Sequence, residues 1–263
     1  GKDPGMPLAR LVNFNAPTAS LTVITNGGDT VNITGFDPAF NTPLLSLQGT
    51  TSANTYNLGA ANIIPNATSL SLTGNADFNL NGFSETIGSL ASTDATPTIT
   101  LSARQTLTAG NASNTTYSGT LTGSGNLTKA GTGTLILSGA SPAYTGTNTV
   151  NAGVLQITQG NSAGIGPTLI NAGVFEINNV THDGVVALNN GGTLRGLGAA
   201  ARENGVITVA AGGAVTLAAT AGSTLTLSDF TDEILGGAGT NINVTGGGVV
   251  ALTQNTTLGV AAT

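Results

Sequence analysis

Residues 111–157 read NASNTTYSGTLTGSGNLTKAGTGTLILSGASPAYTGTNTVNAGVLQI. Short alternating segments such as Gly133-Thr-Leu-Ile-Leu-Ser-Gly139 and Gly153-Val-Leu-Gln-Ile-Thr158 are bounded by Gly, Asn, Ser and Pro, the pattern of brief strands joined by tight turns. Successive side chains alternate across a strand, so Leu135 and Leu137 point one way and Thr134, Ile136 and Ser138 the other. A strand this short with one apolar face has too little core to stand alone, and another layer must lie against it.

The next stretch supplies that layer. Asn151-Ala-Gly-Val-Leu-Gln-Ile157 returns twenty positions later as Asn171-Ala-Gly-Val-Phe-Glu-Ile177, so that Phe175 answers Leu155 and Ile177 answers Ile157. Leu135 lies the same distance before Leu155, and Leu194 follows Phe175 by nineteen. A fixed period of about twenty residues made of short strands is the mark of a solenoid, each turn of chain stacked on the one before. The expected fold is all-β, with no helix required.

The chain reads Asn126-Leu-Thr-Lys-Ala-Gly-Thr-Gly-Thr-Leu-Ile-Leu-Ser-Gly139, then Tyr144-Thr-Gly146 and Val150-Asn-Ala-Gly-Val-Leu-Gln156, preceded by Leu80-Asn-Gly-Phe-Ser-Glu-Thr-Ile-Gly-Ser-Leu90. These linked motifs, in this order, resemble the strand-repeat module of bacterial autotransporter passenger domains and the element that often precedes it. The resemblance is clearest over 80–177. It implies a right-handed parallel β-helix that is exported through a β-barrel by type V secretion. Such a domain is displayed on the outer surface of a Gram-negative-type bacterium, or shed from it.

Composition points the same way. The 263 residues include 39 Gly, no Cys and no Trp, with 7% charged residues and 39% apolar. Gly reaches the positive φ that tight corners demand, while the apolar fraction is enough for a continuous core rather than a disordered chain. A lack of Cys suits passage through an oxidising periplasm. The length fits one elongated β-helix over 6–263, with Gly1-Lys-Asp-Pro-Gly5 a patternless leader that reads as a cloning remnant.

The net charge is −6, and the six basic residues, Lys2, Arg10, Arg104, Lys129, Arg195 and Arg202, are scattered. Nucleic-acid and heparin binders cluster theirs, so no nucleic-acid partner is expected. No signal peptide, no bilayer-spanning apolar run and no series of barrel strands is visible. The sequence therefore reads as a piece of a longer chain that inserts no segment of its own into a membrane, its outer-membrane β-barrel lying elsewhere in the parent.

In chain order, Ser20-Leu-Thr-Val-Ile-Thr25 and Thr30-Val-Asn-Ile-Thr34 read as strands, and Phe36-Asp-Pro-Ala-Phe-Asn-Thr-Pro43 as a loop whose prolines cannot join a central ladder. Its phenylalanines either tuck over the core or sit exposed. Further strands are expected over 44–47, 55–58, 69–72, 77–80 and 98–101. Leu72, Leu90 and Leu107, eighteen and seventeen apart, suggest tighter coils in this part. Beyond Ile177 the rungs loosen, at 185–188, 193–194, 206–209, 214–217, 223–228, 242–244 and 249–252, and no polar cap closes the series. A period of about twenty gives roughly a dozen coils and a rod on the order of 60 Å long. Leu, Val, Ile and Phe should form ladders inside, and Thr and Asn outside.

Chemistry is sparse. His182 is the one histidine, and a Ser-His-Asp triad would have to use it, yet His182-Asp183-Gly184 reads as a turn between rungs. Asp229, Asp232 and Glu233 form the only local concentration of acid, the sort of cluster a polysaccharide-acting β-helix enzyme would use, but their setting reads as a solvated loop. No calcium-repeat or phosphate-loop motif appears. Asn-x-Ser/Thr triplets at Asn32, Asn66, Asn111, Asn114, Asn126 and Asn255 follow from the Asn/Thr-rich composition. Hence no catalytic, cofactor-binding or metal residue is assigned, no cofactor is expected, and the protein is read as a non-enzyme. Two functions remain: an adhesin or self-association module whose Thr/Asn faces meet a host-cell protein, a glycan or another copy, and a passive stalk that presents another domain.

Overall fold

The structure is a computed structural model that describes residues 19–36, 40, 42–227, 234–236, 239–253 and 258–260, with 234–236 and 258–260 described by backbone alone. The described residues contain no helix, and every strand pairing among them is parallel. The chain winds as a β-solenoid of about 10 turns, its strands gathered in four sheets. Sheet A runs from Leu21–Thr25 through Leu44–Leu58, Ser69–Asn79 and Thr98–Leu101 to Thr120–Gly123. Sheet B has nine strands, from Glu85–Ile87 to Leu258–Val260, and sheet C seven, from Thr115–Tyr117 to Asn241–Thr245. Sheet D has four, Thr181–His182, Ala201–Glu203, Thr224–Leu227 and Val249–Leu252.

The predicted period is a physical ladder. Leu135 pairs with Leu155, Leu155 with Phe175, and Phe175 with Leu194, and all four are buried. In strand Thr134–Leu137 burial alternates as the sequence requires: Leu135 and Leu137 face in, Thr134 and Ile136 out. One face of each short strand is thus removed from water by the rungs above and below it. At roughly 1.5–3 kcal/mol per fully buried large aliphatic side chain, the stack, not the single strand, is the stable unit.

Each predicted strand among the described residues is present, but two regions differ from expectation. Segments 44–47 and 55–58 belong to one long strand, Leu44–Leu58, whose register against Ser69–Asn79 shifts between Gly49 and Asn54. The first coils are not tighter. Leu72, Leu90 and Leu107 do not stack on one another; Leu72 pairs with Leu47, Leu90 with Leu70 and Leu107 with Leu127. The Leu47-to-Leu72 step is 25 residues and the Phe78-to-Ile99 step 21, so these coils are wider than the central 20. Wider coils also reduce the total from the expected dozen. Equal spacing misled because each coil passes several sheets, and leucines on different sides can share a near-period by accident. Asn126–Lys129, Asn148–Val150 and Thr168–Ile170 are the sheet B strands of the repeat module, three or four residues each and too rich in Thr and Asn to stand out.

Corners are where glycine is indispensable. Gly125, Gly146, Gly166, Gly184 and Gly205 lie over one another at one edge of sheet B; a Cβ on Gly146 would lie 1.6 Å from the Gly125 carbonyl oxygen, and one on Gly205 1.9 Å from that of Gly184. Backbone there stacks on backbone. In the 36–43 loop the aromatics tuck inward: Phe40 is buried, Phe36 packs half-buried on the core, and their rings stack with centroids 4.3 Å apart. Residues 37–39 and 41 lie outside the described set.

Candidate functional site

The side of the coil open to a partner is the outer face of sheet B. Because Leu127, Val150, Ile170, Leu188 and Val209 face in, the alternate residues must face out. One outer row runs Thr108, Thr128, Thr149, Leu169, Ala187, Thr208 by direct pairing. Beside it, in the same registers, lie Thr106, Asn126, Thr147, Pro167, Val185 and Val206. Neither row contains a charge. The threonine ladder gives way to aliphatic side chains from Pro167 to Val206, where Ile165 and Val185 are 56% and 43% exposed. On a chain of net charge −6, this is a neutral strip with an apolar centre.

Sheet C presents a different outer row, Ile136, Gln156, Glu176 and Arg195 in successive rungs. The Gln156 amide and the Arg195 guanidinium both donate to the Glu176 carboxylate, which their side chains almost wholly cover. At the corner between sheets B and C, Asn171 donates to Asn151 (2.7 Å) and Asn189 to Asn171 (2.6 Å), a short asparagine ladder of the kind expected for the outside of the coil.

The interior holds polar groups that the expectation of purely apolar inner ladders missed. Lys129 is 1% exposed and its ammonium donates to the carbonyls of Ala130, Gly131 (2.8 Å) and Ala152 (3.3 Å). Burial pulls that ammonium below the usual lysine range. The signal was legible: Leu127 faces in, so two residues on Lys129 must also. Glu85 accepts backbone N–H groups from Ile63 (3.0 Å) and Thr86 (3.0 Å), yet burial still raises its carboxyl. Gln105 and Asn148 are buried as well.

His182 is not in a turn. It ends strand Thr181–His182, points into the core with no exposed surface, and its Nδ1 lies 2.8 Å from Glu203 Oε2. Only Asp183 and Gly184 make the bend. No solvent reaches the imidazole, so the one histidine does not face a substrate. Asp229, Asp232 and Glu233 lie outside the described residues. Among those described, no three His, Cys, Asp or Glu side chains gather as a metal site, and no helix is long and apolar enough to cross a membrane. Of the basic residues described, Arg104 and Arg202 are exposed, Arg195 is engaged with Glu176 and Lys129 is interior.

Residues 127–157 match the model of the passenger-associated-transport-repeat family. The chain carries a passenger-associated transport repeat. With the stacked parallel coils on either side of it, this repeat fits an autotransporter passenger domain. The matched span comprises the Lys129 rung, the Leu135 rung and the first turn of the asparagine corner, the part of the solenoid with the most regular spacing. No curated protein and no solved structure matches the chain.

Proposed function

We propose that the protein is a β-helical passenger segment of a bacterial autotransporter, held at the cell surface or released from it, and that it acts through the neutral outer face of sheet B as an adhesive or self-associating surface. The repeat and the parallel stack support the passenger-stalk part of this reading. The adhesive part rests on one observation, the charge-free double row that turns aliphatic between Pro167 and Val206. Threonine hydroxyls offer donors and acceptors at every 4.8 Å rung, the aliphatic centre offers area to remove from water, and no like charge opposes approach. A host-cell protein, a glycan or a second copy could meet such a strip; the segment has no catalytic role in this reading and needs no cofactor.

The test is sedimentation of the purified chain over a wide concentration range, with cell binding measured on the same sample, for the wild type and for Leu169→Lys and Val185→Lys. Concentration-dependent association or saturable binding that both lysines abolish, without a change in melting, is the expected result. A strict monomer that binds nothing would leave the passive stalk alone, and association untouched by the lysines would move the surface elsewhere.

A further inference from the structure

His182 and Glu203 occupy equivalent positions on consecutive coils, in the segments His182-Asp183-Gly184 and Glu203-Asn204-Gly205. Their stacking is complete: imidazole over carboxylate in the core (2.8 Å), the Asn204 amide donating to Asp183 outside (2.8 Å), and glycine over glycine at the corner. The glycines make the room. A Cβ on Gly184 would fall 2.9 Å from the imidazole Cε1, and one on Gly205 2.9 Å from Glu203 Oε1. Oε1 accepts the Gly205 N–H at 2.9 Å, while His182 Nε2 has no partner, although it is wholly buried, and the ring stands edge-on to Phe175 at 5.0 Å. The pair sits where sheet D begins, the point at which the coil acquires another strand.

Few other charges face this pair. Asp183 and Arg202 lie on the outer side of the same two segments, and Glu176 and Arg195 face out from sheet C and engage each other. Strand Thr224–Leu227 turns only Leu225 and Leu227 inward. Tyr144, in the core, directs its hydroxyl to the Thr147 carbonyl (3.2 Å). Nothing but the imidazole compensates the Glu203 carboxylate.

We propose that His182 and Glu203 form a proton-operated lock on the C-terminal coils, closed while the pair as a whole is neutral and loosened when it gives up its proton. With His182 protonated and Glu203 ionised, or with both neutral, the pair carries no net charge. Loss of that proton leaves a buried carboxylate beside a neutral ring, a state that low dielectric disfavours. Burial raises the Glu203 carboxyl above its usual range, and the neighbouring Asp183 charge adds to this. The folded state therefore binds the proton more tightly than the unfolded chain does. Stability from this group is present at acid pH and is lost as pH rises through the folded value. Mild acid should tighten the coils that follow Thr181.

The experiment is amide hydrogen exchange from pH 5 to pH 8, corrected for intrinsic exchange. In the wild type, protection over strands Ala201–Glu203, Ile207–Val209 and Thr224–Leu227 should fall by up to about tenfold per pH unit within the titration interval, while strand Thr134–Leu137 stays level. Because His182 is the only histidine, its single imidazole signal in NMR should shift over the same interval. Glu203→Gln should remove the pH slope; should that variant fail to fold, Asp183→Asn, which acts from outside the core, should move the interval to lower pH. Uniform wild-type protection from pH 5 to pH 8, an imidazole signal that does not move, or a slope that survives Glu203→Gln would each overturn the proposal.

Discussion

Coils 126–177 keep a step of 20 residues and admit one charge to their interior, Lys129, held by three backbone carbonyls. Coils 181–227 step by 21 residues from His182 to Glu203 and by 24 from Ala201 to Leu225, and hold two titratable groups against each other. The first region satisfies its buried charge with peptide dipoles, which do not titrate. In the second, two side chains satisfy each other and leave Nε2 unpaired. Regular spacing brings the Ala152 carbonyl of the next coil over Lys129, so the module can close a cage from main chain alone; wider coils have no such fixed overhang. The difference teaches that in a solenoid the repeat length decides which groups are available to solvate an interior charge.

The largest expected effect separates the regions by where a defect spreads. Leu155→Asp places an unpaired carboxylate in the central ladder and should destabilise by about 4 kcal/mol or more, seen as loss of cooperative melting. Leu227→Asp, near the C-terminal side, should release the later coils and leave the exchange protection of Thr134–Leu137 intact, because each coil contacts only its neighbours. If both variants melt alike at every probe, the two regions are one cooperative unit.

Corner chemistry comes next. Gly146→Ala forces backbone apart at a 1.6 Å contact and should lower stability by about 3 kcal/mol. Gly222→Ala meets nothing within 4 Å and carries only the strain of φ +74°, so thermal denaturation should show about 1–2 kcal/mol.

Smaller is the charge comparison. Lys129→Met leaves carbonyls unpaired but relieves a desolvated ammonium, and these oppose each other, so the expected change is about 1–2 kcal/mol. Its pH signature is the sharper readout. Since the folded Lys129 value is lowered, the unfolded chain binds more protons between that value and the ordinary lysine range. Stability from this group rises with pH across that window, opposite in sign to Glu203, and Lys129→Met should flatten the rise in chaotrope titrations. The smallest effect is expected for Arg195→Ala on the outer row of sheet C: about 0.5–1 kcal/mol, shrinking in added salt.

The sequence by itself determined the repeat: Asn151-Ala-Gly-Val-Leu-Gln-Ile157 against Asn171-Ala-Gly-Val-Phe-Glu-Ile177 sets the 20-residue step, and alternation within each strand tells which of Leu135, Ile136 and Leu137 faces in. Both are local properties, carried by spacing along the chain, and Lys129 could have been placed inside by the same rule. Only the tertiary structure decided that His182 meets Glu203, that Leu72 belongs with Leu47 rather than with Leu90, and that Pro167, Leu169, Val185 and Val206 form one patch. Those pairings depend on how many residues each coil spends in its corners, from 18 between Ile170 and Leu188 to 25 between Leu47 and Leu72. Loop length is cheap in free energy and leaves no periodic trace, so the register between unequal coils exists only once the core beneath them has packed.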